Sequence, residues 1–257
     1  MAGTQTPGRY FLVLPAAGSG RRMQAELPKQ YLELAGCSLL QHSLERIGAL
    51  PEIERIVVAL AHEDPRWPPL RAALPVAVAA KVSTVTGGAE RMQSVANALV
   101  ALQPHARAND WVLVHDAVRP CVHETDVRKL LHETANDETG GLLGLPVRET
   151  LKECDDAQRF VARTVDRSRI WQAATPQVFR FAVLQRALQH AAQESSFVTD
   201  EAGAVEALGL PVRLVAGRAD NLKITYPGDL MLAAAVLEAQ ARESIAARAS
   251  TGTSAGI

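Results

Sequence analysis

Glycines followed closely by cations form the most distinctive chemical pattern in the N-terminal part of the chain. The stretch PAAGSGRRM begins at Pro15, and Lys29 follows in PKQY. Gly18 and Gly20 let the backbone approach an anion with its N–H groups exposed. Arg22 and Lys29 add positive charge beside that loop. The pattern predicts a phosphate-binding loop, although a tight turn with solvated cations would show the same glycine spacing.

This loop differs from the two common phosphate-binding fingerprints. The dinucleotide fingerprint requires a third glycine where Met23 stands, and the P-loop motif GxxxxGK[ST] is absent. A dinucleotide-binding oxidoreductase would also end its second strand in an acidic residue, whereas residues 59–61 are apolar. A non-catalytic nucleotide sensor would keep the glycine loop but would not need both Lys29 and Lys223.

Two further polar loops follow predicted strands. GGAERMQS covers residues 87–94, and HDAVRP covers residues 115–120. Ligands of open α/β sheets bind beyond the carboxyl ends of the strands, so these loops and the glycine loop should meet in one crevice. Asp116 at a strand end would by itself be read as a turn cap, and we expect His115 beside it to be structural.

Short β-branched runs alternate with helical patterns and would position these loops. In residues 90–103 apolar side chains recur at i, i+3, i+4, i+7 and i+8, as in an amphipathic helix. The nearly continuous apolar strands favour a mainly parallel sheet covered by helices on both faces. The predicted strands are residues 10–15, 55–60, 82–86, 111–115, 140–147 and 212–215, and the predicted helices are residues 38–50, 90–103, 124–137, 181–193 and 228–242.

One segment breaks this alternation. Residues 148–179 are too polar for a core strand and show no sustained helical period. We expect a protruding β-arm over about 148–176, with two edge strands around a turn at 154–158, serving either dimerisation or only as a surface hairpin. The rest predicts a single Rossmann-like α/β domain over 9–246, with flexible termini at 1–8 and 247–257.

The composition is that of an ordinary globular domain. The chain has 257 residues, of which 47% are hydrophobic and 21% charged, with a formal net charge of -1. This balance argues against nucleic-acid or anionic-membrane partners, and no apolar run approaches the roughly 20 residues of a spanning helix. The N-terminus lacks a signal-peptide pattern, and three cysteines without CxxC spacing fit a reducing compartment. We therefore expect a cytoplasmic protein.

Seven segments between about Leu12 and Asp229 combine into one longer pattern: PAAGSGRRM…PKQY, GGAERMQSV, VHDAVRP, LPVRETLK, TVDRSRIWQAATPQVF, VTDEAGAVEALG and GRADNLKIT. Together they resemble the 2-C-methyl-D-erythritol 4-phosphate cytidylyltransferase family. The resemblance implies transfer of CMP from CTP to that polyol phosphate with release of pyrophosphate. It also implies CTP as co-substrate and Mg²⁺ as cofactor, held mainly through the CTP phosphates. A cytidylyltransferase for another polyol phosphate, such as ribitol 5-phosphate, would share the nucleotide loops.

The resemblance assigns residues to three roles and assigns none to a metal. Ala89 departs from an acidic residue found in some members, and Val118 departs from the usual alanine. The residues expected to be catalytic are Arg22, Lys29 and Lys223. Those expected to bind the nucleotide are Pro15, Ala16, Ala17, Gly18, Ser19, Gly20, Gly88, Ala89, Arg91, Ser94, Asp116 and Ala117. Those expected to bind the polyol phosphate are Asp116, Arg119, Thr150, Arg167, Thr175 and Thr199.

The resemblance further implies a homodimer whose arms complete the active sites. Thr150, Arg167 and Thr175 match residues that reach the polyol phosphate of the neighbouring subunit. Thr199 opens TDEAGAVEALG, which looks like a helix capping box as well as a substrate-binding position. Lys223 is expected in a short strand.

Overall fold

The computed structural model of the protein describes residues 8–18, 27–155, 157, 159–194 and 198–252, with side chains to residue 246. The described strands are β1 (Tyr10–Pro15), β2 (Glu33–Leu34), β3 (Cys37–Ser38), β4 (Ile53–Leu60), β5 (Val82–Thr86), β6 (Trp111–Val114), β7 (Gly140–Pro146), β8 (Leu151–Cys154), β9 (Val161–Val165), β10 (Trp171–Arg180) and β11 (Arg213–Ala216). The described helices are α1 (Leu39–Gly48), α2 (Trp67–Ala73), α3 (Val76–Ala79), α4 (Arg91–Leu102), α5 (Glu124–Thr134), α6 (Phe181–Gln193), α7 (Glu201–Glu206) and α8 (Pro227–Gly252).

Seven of these strands form one sheet in the order β11-β7-β10-β6-β1-β4-β5. The pairs β1–β4, β1–β6, β4–β5 and β7–β11 are parallel, whereas β10 is antiparallel to both β6 and β7. The predicted α/β fold with a mainly parallel sheet is therefore confirmed. Because β1, β5 and β6 run in the same direction, their following loops lie at one edge of the sheet.

Helices cover both faces of this sheet, and the side chains of β1 show how the core divides. Leu12 and Leu14 pack in a cluster with residues of α1 and α5, whereas Phe11 and Val13 pack in a second cluster with residues of α4 and α6. All four β1 side chains are fully buried. Burial of each stabilises the fold by about 1.5–3 kcal/mol, so β1 is a rigid support for the loop that follows it.

The segment expected to leave the body contributes a strand to the middle of the sheet. Strand β10 lies between β6 and β7, and its residues 174–179 are buried. The prediction that residues 148–179 hold no core strand is wrong for 171–179. The polar side chain of Gln177 is accommodated in the core because it donates to Asp200 and accepts from the backbone N–H of Ala202.

Strands β8 and β9 form a separate antiparallel hairpin. Leu151 pairs with Val165 and Cys154 with Val161, so the chain reverses between 155 and 160, close to the predicted turn. Most of the hairpin side chains are exposed, including Phe160, of which 74% is accessible. The predicted two edge strands are therefore present, but they occupy only residues 151–165.

The helices also differ from the sequence-based expectation at several points. Short helices α2, α3 and α7 were not anticipated, since their apolar patterns span too few turns to show a period. Helix α8 continues to Gly252, so its backbone extends beyond the expected domain limit at residue 246. In the described part of the chain, no helix combines the length and apolar character needed to cross a membrane.

Candidate active site

The loop after β1 is fixed to the sheet by backbone and side-chain hydrogen bonds. The backbone N–H of Ala16 donates to the carbonyl of Ala59 on β4, at 2.7 Å. The buried side chain of Gln30, in a 3-10 turn at Lys29–Tyr31, donates to the carbonyl of Ala16 at 2.6 Å. Lys29 is thereby placed beside the loop that precedes it. The predicted site residues Ser19, Gly20 and Arg22 lie outside the described residues.

The loop after β5 is held by the first turn of α4. The backbone N–H of Gly88 donates to Ser94 Oγ at 3.1 Å, and that of Ala89 donates to the side-chain oxygen of Gln93 at 3.0 Å. The Ser94 hydroxyl donates in turn to the carbonyl of Glu90. Both predicted nucleotide-binding residues of this loop therefore depend on side chains of α4 for their position.

The loop after β6 is anchored from beneath by a buried histidine. His115 Nε2 lies 3.2 Å from the carbonyl of Arg119, which can only accept, so this nitrogen carries the proton. Nδ1 then accepts from the hydroxyl of Thr175, which accepts from the backbone N–H of Asp116 at 3.0 Å. Burial lowers the pKa of His115 to about 4. This neutral histidine has the structural role expected for it, because it orients Thr175 and Asp116.

Three cations converge on the Asp116 carboxylate. Arg91 Nε lies 3.1 Å from Oδ1, while Lys223 Nζ and Arg119 Nε lie 2.9 Å and 3.4 Å from Oδ2. Although burial opposes ionisation, Arg91, Lys223 and Arg119 hold the pKa of Asp116 well below its usual range. Asp116 is therefore a permanent anion in a positively charged surrounding.

Two adjoining cavities share the side chains of Arg91, Asp116 and Lys223. The first cavity has a volume of about 240 Å³ and brings together the loops after β1, β5 and β6, as predicted. The second has a volume of about 220 Å³. Predicted residues that line the first are Pro15, Ala16, Ala17, Gly18, Lys29, Gly88, Ala89, Arg91, Ser94, Asp116, Ala117 and Lys223. Predicted residues that line the second are Arg91, Asp116, Arg119, Thr175, Thr199 and Lys223.

Two predicted substrate-binding residues lie in neither cavity. Thr150 directly precedes β8 and is exposed. Arg167 follows β9, is exposed, and donates to the backbone carbonyl of Arg148. Within one subunit these side chains therefore do not join the charged cluster around Asp116. Thr175, which was also expected to reach the neighbouring subunit's substrate, instead lines the second cavity of its own subunit, where its hydroxyl accepts from the backbone N–H of Asp116.

Two local expectations near the second cavity need correction. The capping residue of α7 is Asp200, not Thr199, because the Asp200 carboxylate accepts from the backbone N–H of Gly203 at 2.9 Å. Lys223 does not lie in a strand. Its segment is held instead by Asn221, whose side chain donates to the carbonyl of Thr175 and whose carbonyl accepts from Arg119.

Several residues that shape the site were missed by sequence reasoning. Gln30 supports the β1 loop, Gln177 and Asn221 support the second cavity, and Glu201 pairs with Arg91. Gln30 and Asn221 are next to predicted residues, which is a weak local signal. Gln177 and Glu201 likewise lie two positions from the predicted Thr175 and Thr199, but the sequence does not reveal their contacts, because their partners lie far away along the chain.

Comparison with known proteins shows the family to which the chain is similar. A family model described as IspD, 2-C-methyl-D-erythritol 4-phosphate cytidylyltransferase, matches residues 10–239. The chain belongs to this family. The resemblance drawn from the seven sequence segments is confirmed.

Similar proteins of the IspD family include curated relatives and solved structures. The chain is 50% identical to a 2-C-methyl-D-erythritol 4-phosphate cytidylyltransferase of Pseudomonas putida over 86% of this chain and 92% of the relative. It is 48% identical to one of Dechloromonas aromatica over 90% of this chain and 99% of the relative. A crystal structure of the Francisella tularensis IspD superposes with a TM-score of 0.75 at 31% identity, covering 89% of this chain and 100% of that chain.

Proposed function

We propose that the protein transfers CMP from CTP to 2-C-methyl-D-erythritol 4-phosphate. The products are 4-diphosphocytidyl-2-C-methyl-D-erythritol and pyrophosphate, a step of isoprenoid precursor synthesis by the non-mevalonate route. The observation that carries the proposal is the position of Asp116, on the wall shared by the two cavities, with Arg91, Arg119 and Lys223 around it. Two anionic substrates that must meet need two pockets with a common cationic boundary.

The reaction needs positioning and charge neutralisation more than proton transfer. A phosphate monoester has a second pKa of roughly 6, so its oxygen is already anionic at neutral pH. That oxygen attacks the α-phosphorus of CTP, and the bond from the α-phosphorus to the bridging oxygen of pyrophosphate breaks. No general base is required. Asp116 would be a poor one, since both of its oxygens face cations.

Arg22, Lys29 and Lys223 are the residues we assign to the developing charge. Lys29 lines the first cavity beside the glycine loop, where the triphosphate would lie. Lys223 lines both cavities, and 39% of its side chain is exposed, so it can exchange Asp116 for a phosphate oxygen. Preorganised cations of this kind stabilise charge in a water-poor site.

The nucleotide would lie in the first cavity and the polyol phosphate in the second. Ala89 presents a methyl group where some members carry an acidic residue, so the loop after β5 would contact cytosine through its backbone. Val118 also lines the first cavity. We assign the nucleotide to Pro15, Ala16, Ala17, Gly18, Ser19, Gly20, Gly88, Ala89, Arg91, Ser94, Asp116 and Ala117. We assign the polyol phosphate to Asp116, Arg119, Thr150, Arg167, Thr175 and Thr199.

Mg²⁺ fits this site as an ion brought in on the CTP phosphates. The described residues contain no group of three His, Cys, Asp or Glu side chains that could hold a metal. Asp116 is the carboxylate common to both cavities, but both of its oxygens face cations, so phosphate oxygens would supply the coordination. When bound, Mg²⁺ would neutralise phosphate charge.

We further propose that the active form is a cytoplasmic homodimer. Thr150 and Arg167 flank the exposed β8–β9 hairpin and lie outside both cavities of their own subunit. The hairpin also exposes Phe160 and Val161, which a second copy would cover. In such a dimer each arm would bring Thr150 and Arg167 to the polyol phosphate of its neighbour.

A pyrophosphate-release assay tests the function. Purified protein is mixed with CTP, Mg²⁺ and 2-C-methyl-D-erythritol 4-phosphate, with ribitol 5-phosphate in a parallel reaction. We expect release that requires all three components and is much faster with the methylerythritol substrate. No release of pyrophosphate would refute the proposal. If the protein preferred ribitol 5-phosphate, its activity would be cytidylyl transfer to that related polyol phosphate instead.

A further inference from the structure

Glu201 is a fully buried carboxylate that lies outside both cavities. It is the first residue of α7, and 0% of it is exposed. No contact with either substrate is available to it, because it lines neither pocket. A buried carboxylate is costly unless it is paired. Its presence next to the site therefore calls for an explanation in terms of its partner.

That partner is Arg91, which lines both cavities. Arg91 Nη1 and Nη2 lie 2.6 Å and 3.1 Å from the two carboxylate oxygens of Glu201, a bidentate pair. Burial raises the pKa of the Glu201 carboxyl, and the Arg91 charge opposes that rise. The remaining Nε of Arg91 donates to Asp116. The guanidinium is thus held between two buried carboxylates.

Hydrogen bonds of helix α7 fix the position of Glu201. Asp200 caps the helix through the N–H of Gly203, and its second oxygen accepts from Gln177 on the core strand β10. The side-chain oxygen of Gln177 also accepts from the N–H of Ala202. The residues on both sides of Glu201 are therefore bonded to a strand at the centre of the sheet.

We propose that Glu201 is a positioning residue for cytidylyl transfer, acting through Arg91 to fix the Asp116 carboxylate where the two cavities meet. This inference rests on the proposed function and adds a residue that touches neither substrate. The ion pair takes up two of the donors of Arg91, so that only Nε is directed at Asp116. Asp116 Oδ2 then remains available to Lys223 and Arg119.

Loss of the Glu201 charge would leave Asp116 as the sole anionic partner of Arg91 in this cluster. Arg91 would turn toward Asp116 and compete with Lys223 for it. The two cavities share these three side chains, so the change would displace the substrates relative to each other. A misplacement near 1 Å can lower turnover by about 100-fold, while the separate contacts to each substrate remain.

The test compares three variants by steady-state pyrophosphate release. E201Q keeps the shape and removes the charge, E201D keeps the charge and shortens its reach, and E206Q is the matched control on the exposed end of the same helix. For E201Q we expect kcat to fall roughly 10- to 100-fold, with KM for either substrate changed less than about 3-fold. E201D should retain more turnover than E201Q, and E206Q should equal the wild type.

A mutant cycle with Arg91 separates positioning from a general loss of stability. If Glu201 acts through Arg91, adding E201Q to R91Q should lower kcat no further than R91Q alone. Additive losses would overturn the inference, as would wild-type kcat in folded E201Q. If E201Q fails to fold, E201D becomes the test, and an unchanged kcat in E201D would overturn the inference. An inactive wild type would refute the proposed function, and the inference with it.

Discussion

The crevice around Asp116 and the β8–β9 hairpin hold their charged side chains in different ways. In the crevice the Asp116 and Arg119 side chains are only 8% and 12% exposed, and each has partners from distant parts of the chain. In the hairpin, Arg163 and Glu153 pair while 70% and 50% exposed. Exposed pairs contribute little to stability, whereas buried ones fix geometry.

This difference indicates that the two regions have different roles. The crevice is assembled within one subunit, so its changes should impair chemistry directly. The hairpin makes mainly local contacts, and its neighbouring residues Thr150 and Arg167 are exposed. Changes there should matter only through a second copy. Substitutions in each region therefore test whether the crevice and the hairpin act separately.

The largest effect is expected from removing a lysine on the crevice side. Lys29→Ala or Lys223→Ala should each lower kcat by about 100- to 1000-fold, near 2.7–4 kcal/mol, because one charge-stabilising donor is lost. Lys129→Ala, an exposed lysine whose ammonium donates to the carbonyl of Ala216, is the matched control. If both variants released pyrophosphate at a rate near that of the wild type, these lysines would not take part in the chemistry.

The next prediction concerns the hairpin side and needs two inactive variants. Arg167→Ala and Lys223→Ala should each turn over poorly. If the arm serves the neighbouring subunit, mixing them equally should restore about a quarter of wild-type activity, because half the dimers then hold one complete site. Subunit exchange is verified with differently tagged chains. Exchange without recovery would place Arg167 in its own subunit's site or outside the site.

A smaller effect is expected where two crevice loops touch. A Cβ on Gly87 would lie 2.4 Å from the Ala17 Cβ and 2.8 Å from Ser94 Oγ. Gly87→Ala should therefore push apart the loops after β1 and β5 and raise KM for CTP about tenfold, with KM for the polyol phosphate little changed. Gly228→Ala, where the added Cβ meets nothing within 4 Å, is the control. Equal shifts in both KM values would contradict separate pockets.

The parts of the site that could be predicted are those carried by short segments. The glycine loop and Asp116 follow apolar strands, and parallel strands bring their ends together, so the crevice follows from local pattern alone. Arg91 was expected in the site, but its pairing with Glu201 could not be predicted, since 110 positions separate the two residues. The roles expected of Lys29 and Lys223 rest instead on the resemblance of PKQY and GRADNLKIT to segments of the family.

The fold shows the same limit in strand β10. Its residues Thr175 and Gln177 are polar, so the segment reads as surface. Each has a partner that only the tertiary structure supplies: His115 for Thr175, and Asp200 for Gln177. A polar side chain with such a partner is compatible with the core. Alternation of polar and apolar residues cannot reveal that partner.

The smallest effect on turnover at neutral pH is expected beneath the crevice, where His115 instead gives stability a pH dependence. His115 is neutral in the fold, with a pKa of about 4 against 6.5 when unfolded. Its contribution to stability is therefore complete above pH 6.5 and is lost as the pH falls toward 4, with a slope of up to about 1.4 kcal/mol per unit. Denaturant unfolding of His115→Gln should lack this component, so its curve should converge with that of the wild type at low pH. The exposed His105→Gln should follow the wild type. Parallel curves for wild type and His115→Gln would show that His115 is not held neutral, and Thr175 would then need another anchor.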